Sequence, residues 1–473
     1  MILTGLGIGA LMGIVMQRGR YCVTGMLRDI FLLKSWRGFT SLLILITVHA
    51  LGLAMLTSMG LLDVTADSFA PLAVIVGGFI FGLGIVLAGG CASGAWYRSG
   101  EGLVGSCIAL IFYGLSAAAM RTGPLAGFND WMSETTVDAT TVPEALGLSP
   151  WIFVAGLSLL TFFLARHFLA KDRARPKATL DRPWYQRSIG LYTAGALIGV
   201  LAIVAWPLSI AAGREGSLGI TSPTASIFQW MVAGDNSVIN WGTMLVIGLL
   251  AGAFVSAKVA GEFRIRIPDK KSMLTAIPGG AMMGIGASLA GGCTVGNGMV
   301  QTALFGFQGW VALLFIALGV GVAAKLWLKP EVAGAETSGK PKTTGDSIHG
   351  FRANPDDDTL SSAGASQRQF SFGGVATGVL EKPKSASKSD KVREVGHRRY
   401  ALDTLGAVCP FPLVEAKDVL ASLADGDRLV IDFDCTQATD TIPQWAADEG
   451  HAIENFHATG DAGWQITVVK NAA

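Results

Sequence analysis

The chain has 473 residues, 51% of them hydrophobic and only 15% charged. Soluble domains carry roughly a quarter charged residues, so this composition excludes an ordinary soluble protein. The net charge of +1 at pH 7 offers no basic surface for nucleic acid, and six scattered cysteines without a C-x-x-C pair argue against a disulfide scaffold or a zinc site.

The N-terminal stretch MILTGLGIGALMGIVMQ is apolar but has no basic start and no small-residue cleavage site. It reads as a first membrane segment, not a removed signal. A spanning helix needs about 20 mostly apolar residues. Nine stretches qualify, near residues 1–17, 40–62, 71–90, 102–120, 150–169, 189–211, 240–258, 273–290 and 303–327. The loop after the first span holds Arg18, Arg20, Arg28, Lys34 and Arg37. The loop after the fifth holds Lys171, Arg173, Arg175, Lys177, Arg182 and Arg187, and the loop after the seventh holds Lys258, Arg264, Arg266, Lys270 and Lys271. The alternate loops are poor in basic residues, and the one after the fourth span carries Asp130, Glu134, Asp138 and Glu144. The positive-inside rule then puts the N-terminus outside and the C-terminus inside, which in a bacterial inner membrane means a periplasmic N-terminus and a cytoplasmic C-terminus.

Two spans repeat each other. GFIFGLGIVLAGGCASG at residues 78–94 matches GAMMGIGASLAGGCTVG at residues 280–296, sharing AGGC with a glycine three residues after the cysteine. A weaker match pairs IGALMGIVMQ at 8–17 with IGLLAGAFVS at 247–256. On the charge-derived topology the third span ends inside at Cys91 and the eighth ends outside at Cys293, so the repeats are inverted. Inverted repeats with glycine-interrupted helices are a transporter construction, with binding where the repeats meet. Gly89-Gly90 and Gly291-Gly292 let the backbone turn ahead of each cysteine. Irregular backbone at membrane depth survives only where it is buried in protein or lines a cavity. A half-helix starting there would turn its positive N-terminal end toward an anion. The plain alternative is a helix-packing motif whose cysteine is a small hydrophobe.

After Pro330 the composition turns to Ser, Gly, Ala, Lys and Asp without apolar periodicity. The expected domains are therefore a transmembrane region at 1–329, a flexible linker at 330–396 and a soluble domain at 397–473. In the last, YALDTL, LVIDFD, AIENFHA and GWQITVVK read as strands, and PFPLVEAKDVLASLA and TDTIPQWAADEG as helices. The predicted fold is an all-α multi-spanning membrane protein with inverted repeats and glycine-broken helices, plus a small two-layer α+β domain of order β-α-β-α-β-β. The linker shows no pattern for a fixed dock, so the soluble domain is expected to stand apart from any permeation path.

At AGGCASG, AGGCTVG and GRYCVTG, the last around Cys22, the chain resembles the thiosulfate-uptake branch of the YeeE/YedE family over about residues 1–328. The resemblance implies a central thiol pathway through Cys22, Cys91 and Cys293. The chemistry fits: thiosulfate is a small dianion, very costly to bury bare. Neutral thiols are weak, polarizable donors, and a row of weak sites lets an ion enter and leave. The alternative is covalent exchange through an activated thiolate. Arg18 and Arg20 precede Cys22, although the positive-inside rule already accounts for them. Cys107 has no glycine motif and reads as packing. His49 reads as a satisfied core histidine. Asn297 and Gln301 could donate to a substrate or hydrogen-bond between helices.

LDTLGAVCPFPLVEAK is similar to the TusA/SirA family of sulfur carriers, whose hallmark CPxP is here Cys409, Pro410, Phe411 and Pro412. The resemblance implies that Cys409 carries a persulfide. Physically, Cys409 would cap a helix beginning at Pro410, with free N–H groups favouring a thiolate. The combined expectation is thiosulfate uptake in the lipid bilayer followed by sulfur handling, with cytoplasmic sulfurtransferases or sulfur-assimilation enzymes as partners. No cofactor and no metal are expected, and the chain is expected to be a transporter and not an enzyme. Sulfide, polysulfide or a selenium species remain alternative cargoes, as does a membrane-anchored sulfurtransferase. No Walker motif is present.

Overall fold

The computed structural model describes residues 2–327 and 392–471 apart from 65, 67, 138–139, 174–182, 215, 269, 408–409 and 461–462. The expected linker at 330–396 lies almost wholly outside the described residues, as does Cys409.

The membrane part begins with α1 (Ile2–Arg18), α2 (Val23–Leu32) and α3 (Arg37–Ser58), followed by α4 (Pro71–Leu87), α5 (Ala92–Gly100) and α6 (Val104–Arg121). Two short helices, α7 (Ala126–Ser133) and α8 (Val142–Leu146), lead to α9 (Pro150–Arg173). The second half holds α10 (Leu191–Ile210), α11 (Thr221–Ala233), α12 (Trp241–Val259), α13 (Lys270–Leu289), a π-helical turn at Gly296–Gln301 and α14 (Phe307–Trp327). Among the described residues nine segments are long and apolar enough to span a membrane, and they coincide with the nine predicted stretches. The chain is a multi-spanning helical membrane protein.

The two halves pair off in order. α1 packs along α12 as α10 packs along α3, and α4 packs on α14 as α13 packs on α6. α4 and α13 cross directly and run antiparallel: a Cβ on Gly77 would meet Ala290 N at 2.5 Å, and one on Gly84 would meet Met283 N at 2.8 Å. The repeats are thus inverted relative to each other, and the relationship covers all of α1–α6 and α10–α14. One sequence match has a different cause. Residues 8–17 and 247–256 lie on α1 and α12, which are packing partners and not equivalents. A Cβ on Gly9 would fall 1.9 Å from Leu245 O, and one on Gly252 would fall 2.1 Å from Ala10 O. Small residues repeat there because both backbones must approach closely.

Helix α9 stands at the periphery, with only Val154 and Thr161 buried. Its Leu159, Phe162 and Phe163 are exposed, as suits a lipid-facing helix.

The C-terminal domain is a five-stranded sheet of order β1-β2-β3-β5-β4, formed by β1 (Val392–Gly396), β2 (Arg399–Thr404), β3 (Arg428–Phe433), β4 (Ala452–Gly460) and β5 (Gly463–Val469). The helices α15 (Phe411–Ser422) and α16 (Ala438–Asp448) pack on it. β2 and β3 run parallel across α15, and the other pairs are antiparallel. The predicted order is present, with one more strand ahead: β1 falls inside the stretch expected to be linker, where VREVG gives a short, mostly exposed edge strand. Leu402, Ile431, Phe433, Trp445 and Trp464 fill the core.

This domain is docked. Phe411 packs against the membrane core, Leu33 packs against the sheet-domain core, and Arg20 pairs with Asp440 at 3.2 Å. That overturns the expectation of a free-standing domain. The linker composition says nothing about docking because the docking contacts lie in the folded parts at either end of it.

Candidate functional site

Three helix breaks carry the three predicted thiols. Cys22 is the N-cap of α2, after a turn in which Arg20 takes the left-handed conformation at φ 48°. Cys91 is the N-cap of α5, after Gly89 at φ 73°. Cys293 follows Gly291 at φ 70° and leads into the π turn, with Asn297 N–H donating to its carbonyl at 2.8 Å. All three are free thiols and almost fully buried. Cys107 is also free but only half-buried, in the first turn of α6 and without a glycine pair ahead of it.

Cys22 and Cys91 converge. A Cβ built on Gly94 would lie 3.4 Å from Cys91 Sγ and 3.8 Å from Cys22 Sγ, so both sulfurs face the bare backbone of α5. Ser93 Oγ sits 3.5 Å from Cys91 Sγ. Cys293 belongs to the other repeat. Tyr113 on α6 is fully buried, and its hydroxyl donates to Thr221 Oγ1 at 2.9 Å. Sequence reasoning did not single out Tyr113, since a tyrosine inside an apolar span carries no local signal.

The two AGGC turns need their glycines unequally. The first glycine of each pair, Gly89 or Gly291, holds the positive φ, and a Cβ on Gly291 would also come within 2.6 Å of Gln308 Nε2. A Cβ on Gly292 would meet Asn297 at 3.4 Å, an ordinary contact. We expect Gly291→Ala to cost roughly 1–2 kcal/mol from backbone strain alone. Gly292→Ala should be close to neutral, and thermal unfolding of both variants in detergent checks this. Equal midpoints would show that the left-handed turn is not what the glycines supply.

Other sequence readings resolve into structural roles. Asn297 donates to Ala290 O at 2.7 Å and Gly292 O at 2.9 Å, and its Oδ1 accepts from Gln308 Nε2 at 2.9 Å. It pins the Cys293 turn. His49 Nε2 accepts from Trp206 Nε1 at 2.9 Å and its Nδ1 faces Met299 O at 3.2 Å, a satisfied core histidine. Arg18 and Arg20 pair with buried Glu262 at 3.5 and 3.3 Å, so charge neutralisation inside the fold holds them as well as loop charge. Gln17 Nε2 donates to the same carboxylate at 2.9 Å.

Below Cys22 and Cys91 lies a cavity of about 430 Å³ between the membrane helices and the sheet domain. Thr24, Arg28, Arg98, Glu101, Ser106 and Arg266 line it from the membrane side. Gly406, Pro410, Phe411, Glu415, Asp434 and Gln437 line it from the other. Three guanidiniums and the Glu101 carboxyl share the membrane wall, with Glu415 and Asp434 opposite, so the cavity is polar and lined by charges of both signs. Glu101, in the turn between α5 and α6, is 1% exposed, and that burial pushes its carboxyl up to about 7 against the pull of Arg266. Arg98 was missed in the sequence, where it stands within GAWYRSGEG as one charge beside a motif read only for its cysteine. At the CPxP motif, Pro410 is the N-cap of α15 and Pro412 is buried in its first turn. The helix therefore starts one residue later than predicted, because Pro410 O already accepts from Leu413 and Val414 N–H. Cys409 lies outside the described residues.

Residues 18–322 match the family described as Sulphur transport, and residues 400–470 match Sulfurtransferase TusA. The chain is 45% identical over 343 residues to a protein of Escherichia coli (strain K12) named Thiosulfate transporter TsuA, covering 70% of this chain and 96% of that one. It is 36% identical over 333 residues to the protein of the same name from Spirochaeta thermophila, covering 67% of this chain and 97% of that one. A separate short protein of E. coli, Putative sulfur carrier protein TsuB, is 64% identical over 69 residues, covering 15% of this chain and 92% of that one. This chain thus joins in one polypeptide what matches two proteins there, and the relatives of its membrane part are named as transporters. By the match of its membrane region and by these relatives, the chain belongs to the Sulphur transport family, with a TusA-type domain at its C-terminal end.

Proposed function

We propose that this chain takes up thiosulfate across the bacterial inner membrane, from a periplasmic N-terminal side to a cytoplasm where the TusA-type domain sits. Cys22, Cys91 and Cys293 provide the path as neutral thiol donors, and the cavity receives the ion. The observation that carries this reading is the placement of three buried free thiols at three helix breaks of an inverted repeat. Its cargo follows the name of the relatives that match the membrane part over nearly their full length.

Cys409 then takes the terminal sulfur. Its thiolate attacks that sulfur, the S–S bond of thiosulfate breaks, and sulfite leaves with the electron pair, so a persulfide remains on the protein. The test is mass spectrometry of Cys409 in the intact chain after thiosulfate is supplied. A persulfide mass supports the reading, and an unmodified thiol under uptake conditions removes it.

The cavity's charge gives a pH dependence. Glu101 faces Arg98 on its own helix end, Arg266 and Glu262 beyond α12, and Gln17 on α1, with Asp434 and Glu415 on the TusA-type domain lining the opposite wall. Below pH 7 protonation of Glu101 removes one negative charge from beside Arg98 and Arg266, and above it the carboxylate restores that charge. Thiosulfate binding by the purified chain should therefore be tighter at pH 6 than at pH 8, and Glu101→Gln should remove most of that difference. An unchanged pH profile in the variant would locate the titrating group elsewhere.

A further inference from the structure

We propose that the first turn of α16 in the TusA-type domain is a positioning element for the two convergent thiols, with Gln437 as its central residue. Gln437 is the N-cap of α16 and Asp440 lies in its first turn. Each holds an arginine from a different thiol-bearing segment. Gln437 Oε1 accepts from Arg98 Nη2 at 2.9 Å, and Arg98 Nη1 donates to Gly89 O, two residues before Cys91. Asp440 Oδ2 accepts from Arg20 Nη1 at 3.2 Å, two residues before Cys22. Gln437 Nε2 also makes a long contact, 3.5 Å, with Arg20 O. One helical turn of the soluble domain thus reaches both sides of the Cys22–Cys91 pair.

The physical reason to expect an effect is strain and satisfaction. A non-glycine residue at positive φ persists only where its surroundings over-determine it. Arg20 has two anionic anchors, Glu262 in the membrane part and Asp440 in the docked domain, and undocking removes one. Arg98 is 6% exposed, and without Gln437 the nitrogen that bonds it loses its acceptor. A buried guanidinium then reorients to find another, and its hold on Gly89 O loosens. Docking is in this way read out at Cys22 and Cys91, while Cys293, pinned by Asn297 and Gln308, is insulated.

The readout is thiol reactivity, which needs no substrate and so stands or falls apart from the thiosulfate reading. The full chain in lipid nanodiscs is treated with N-ethylmaleimide, and alkylation of each cysteine is followed by peptide mass spectrometry. Gln437→Ala should speed alkylation of Cys22 and Cys91 about tenfold, the effect of one lost hydrogen bond to a charged group, with Cys293 unchanged. Asp440→Ala should act mainly on Cys22. Gln437→Glu, which keeps an acceptor for Arg98, should restore protection. Unchanged reactivity in Gln437→Ala overturns the proposal. So does an equal rise at all three thiols, which would be general loosening, and so does a Glu variant that behaves like the Ala variant.

Discussion

Replacing Cys91 or Cys293 with alanine is expected to lower thiosulfate uptake by about 10- to 100-fold while the protein still inserts, the range that loss of one hydrogen bond to a charged group spans. The two residues occupy equivalent breaks in inverted halves, and each is buried with no solvent to take over from the lost thiol. A desolvated dianion has few donors at this depth, so each missing one is felt in full. Cys22→Ala should behave alike, because its sulfur shares the space over Gly94 with that of Cys91. Cys107→Ala is the internal control: it is half-buried, follows no glycine pair, and should leave uptake within about twofold, as a half-buried position usually does. The measurement is uptake of labelled thiosulfate into proteoliposomes, with protein content matched. Wild-type uptake by Cys91→Ala or Cys293→Ala would return AGGC to the status of a packing motif.

Truncation after Trp327 should lower uptake about tenfold or more, by the same estimate for lost bonds to charged groups, with insertion intact. The sequence alone pointed the other way, since a linker with no docking pattern suggested an independent domain. The docked geometry reverses that expectation. Truncation strips Asp440 from Arg20 and Gln437 from Arg98, and it removes one wall of the cavity below the thiols. Cys409→Ser should separate the two contributions: the domain remains docked, uptake stays near wild type, and no persulfide forms. Full uptake by the truncated chain would show that the soluble domain only processes what has already crossed.

The sequence carried the spans and the thiols because both are written locally. Nine apolar runs need only composition to be recognised, and AGGC repeats with its glycines. The helix breaks were legible for the same reason: Gly89 and Gly291 announce a left-handed turn. Cys22 was harder, since its turn uses Arg20 at positive φ, which no propensity signals. The full extent of the inverted repeat was hidden because α11, the counterpart of α2, is a short helix in a stretch read as loop. The match between residues 8–17 and 247–256 misled because close helix contact and common descent both select small residues at the same spacing. Glu262, Arg98 and Gln437 could not be assigned from sequence. Glu262 meets Arg20 across 242 positions of chain and Gln437 meets Arg98 across 339, and no local pattern encodes such a meeting.

On the proposed pathway the intact ion crosses, not merely its terminal sulfur. Proteoliposomes holding the Cys409→Ser chain can be supplied with thiosulfate labelled either at the terminal sulfur or at the sulfonate sulfur. Both labels should then enter at the same rate and appear inside as thiosulfate. Entry of the terminal label alone, with the sulfonate sulfur left outside, would contradict it and make the thiols a relay for transferred sulfur.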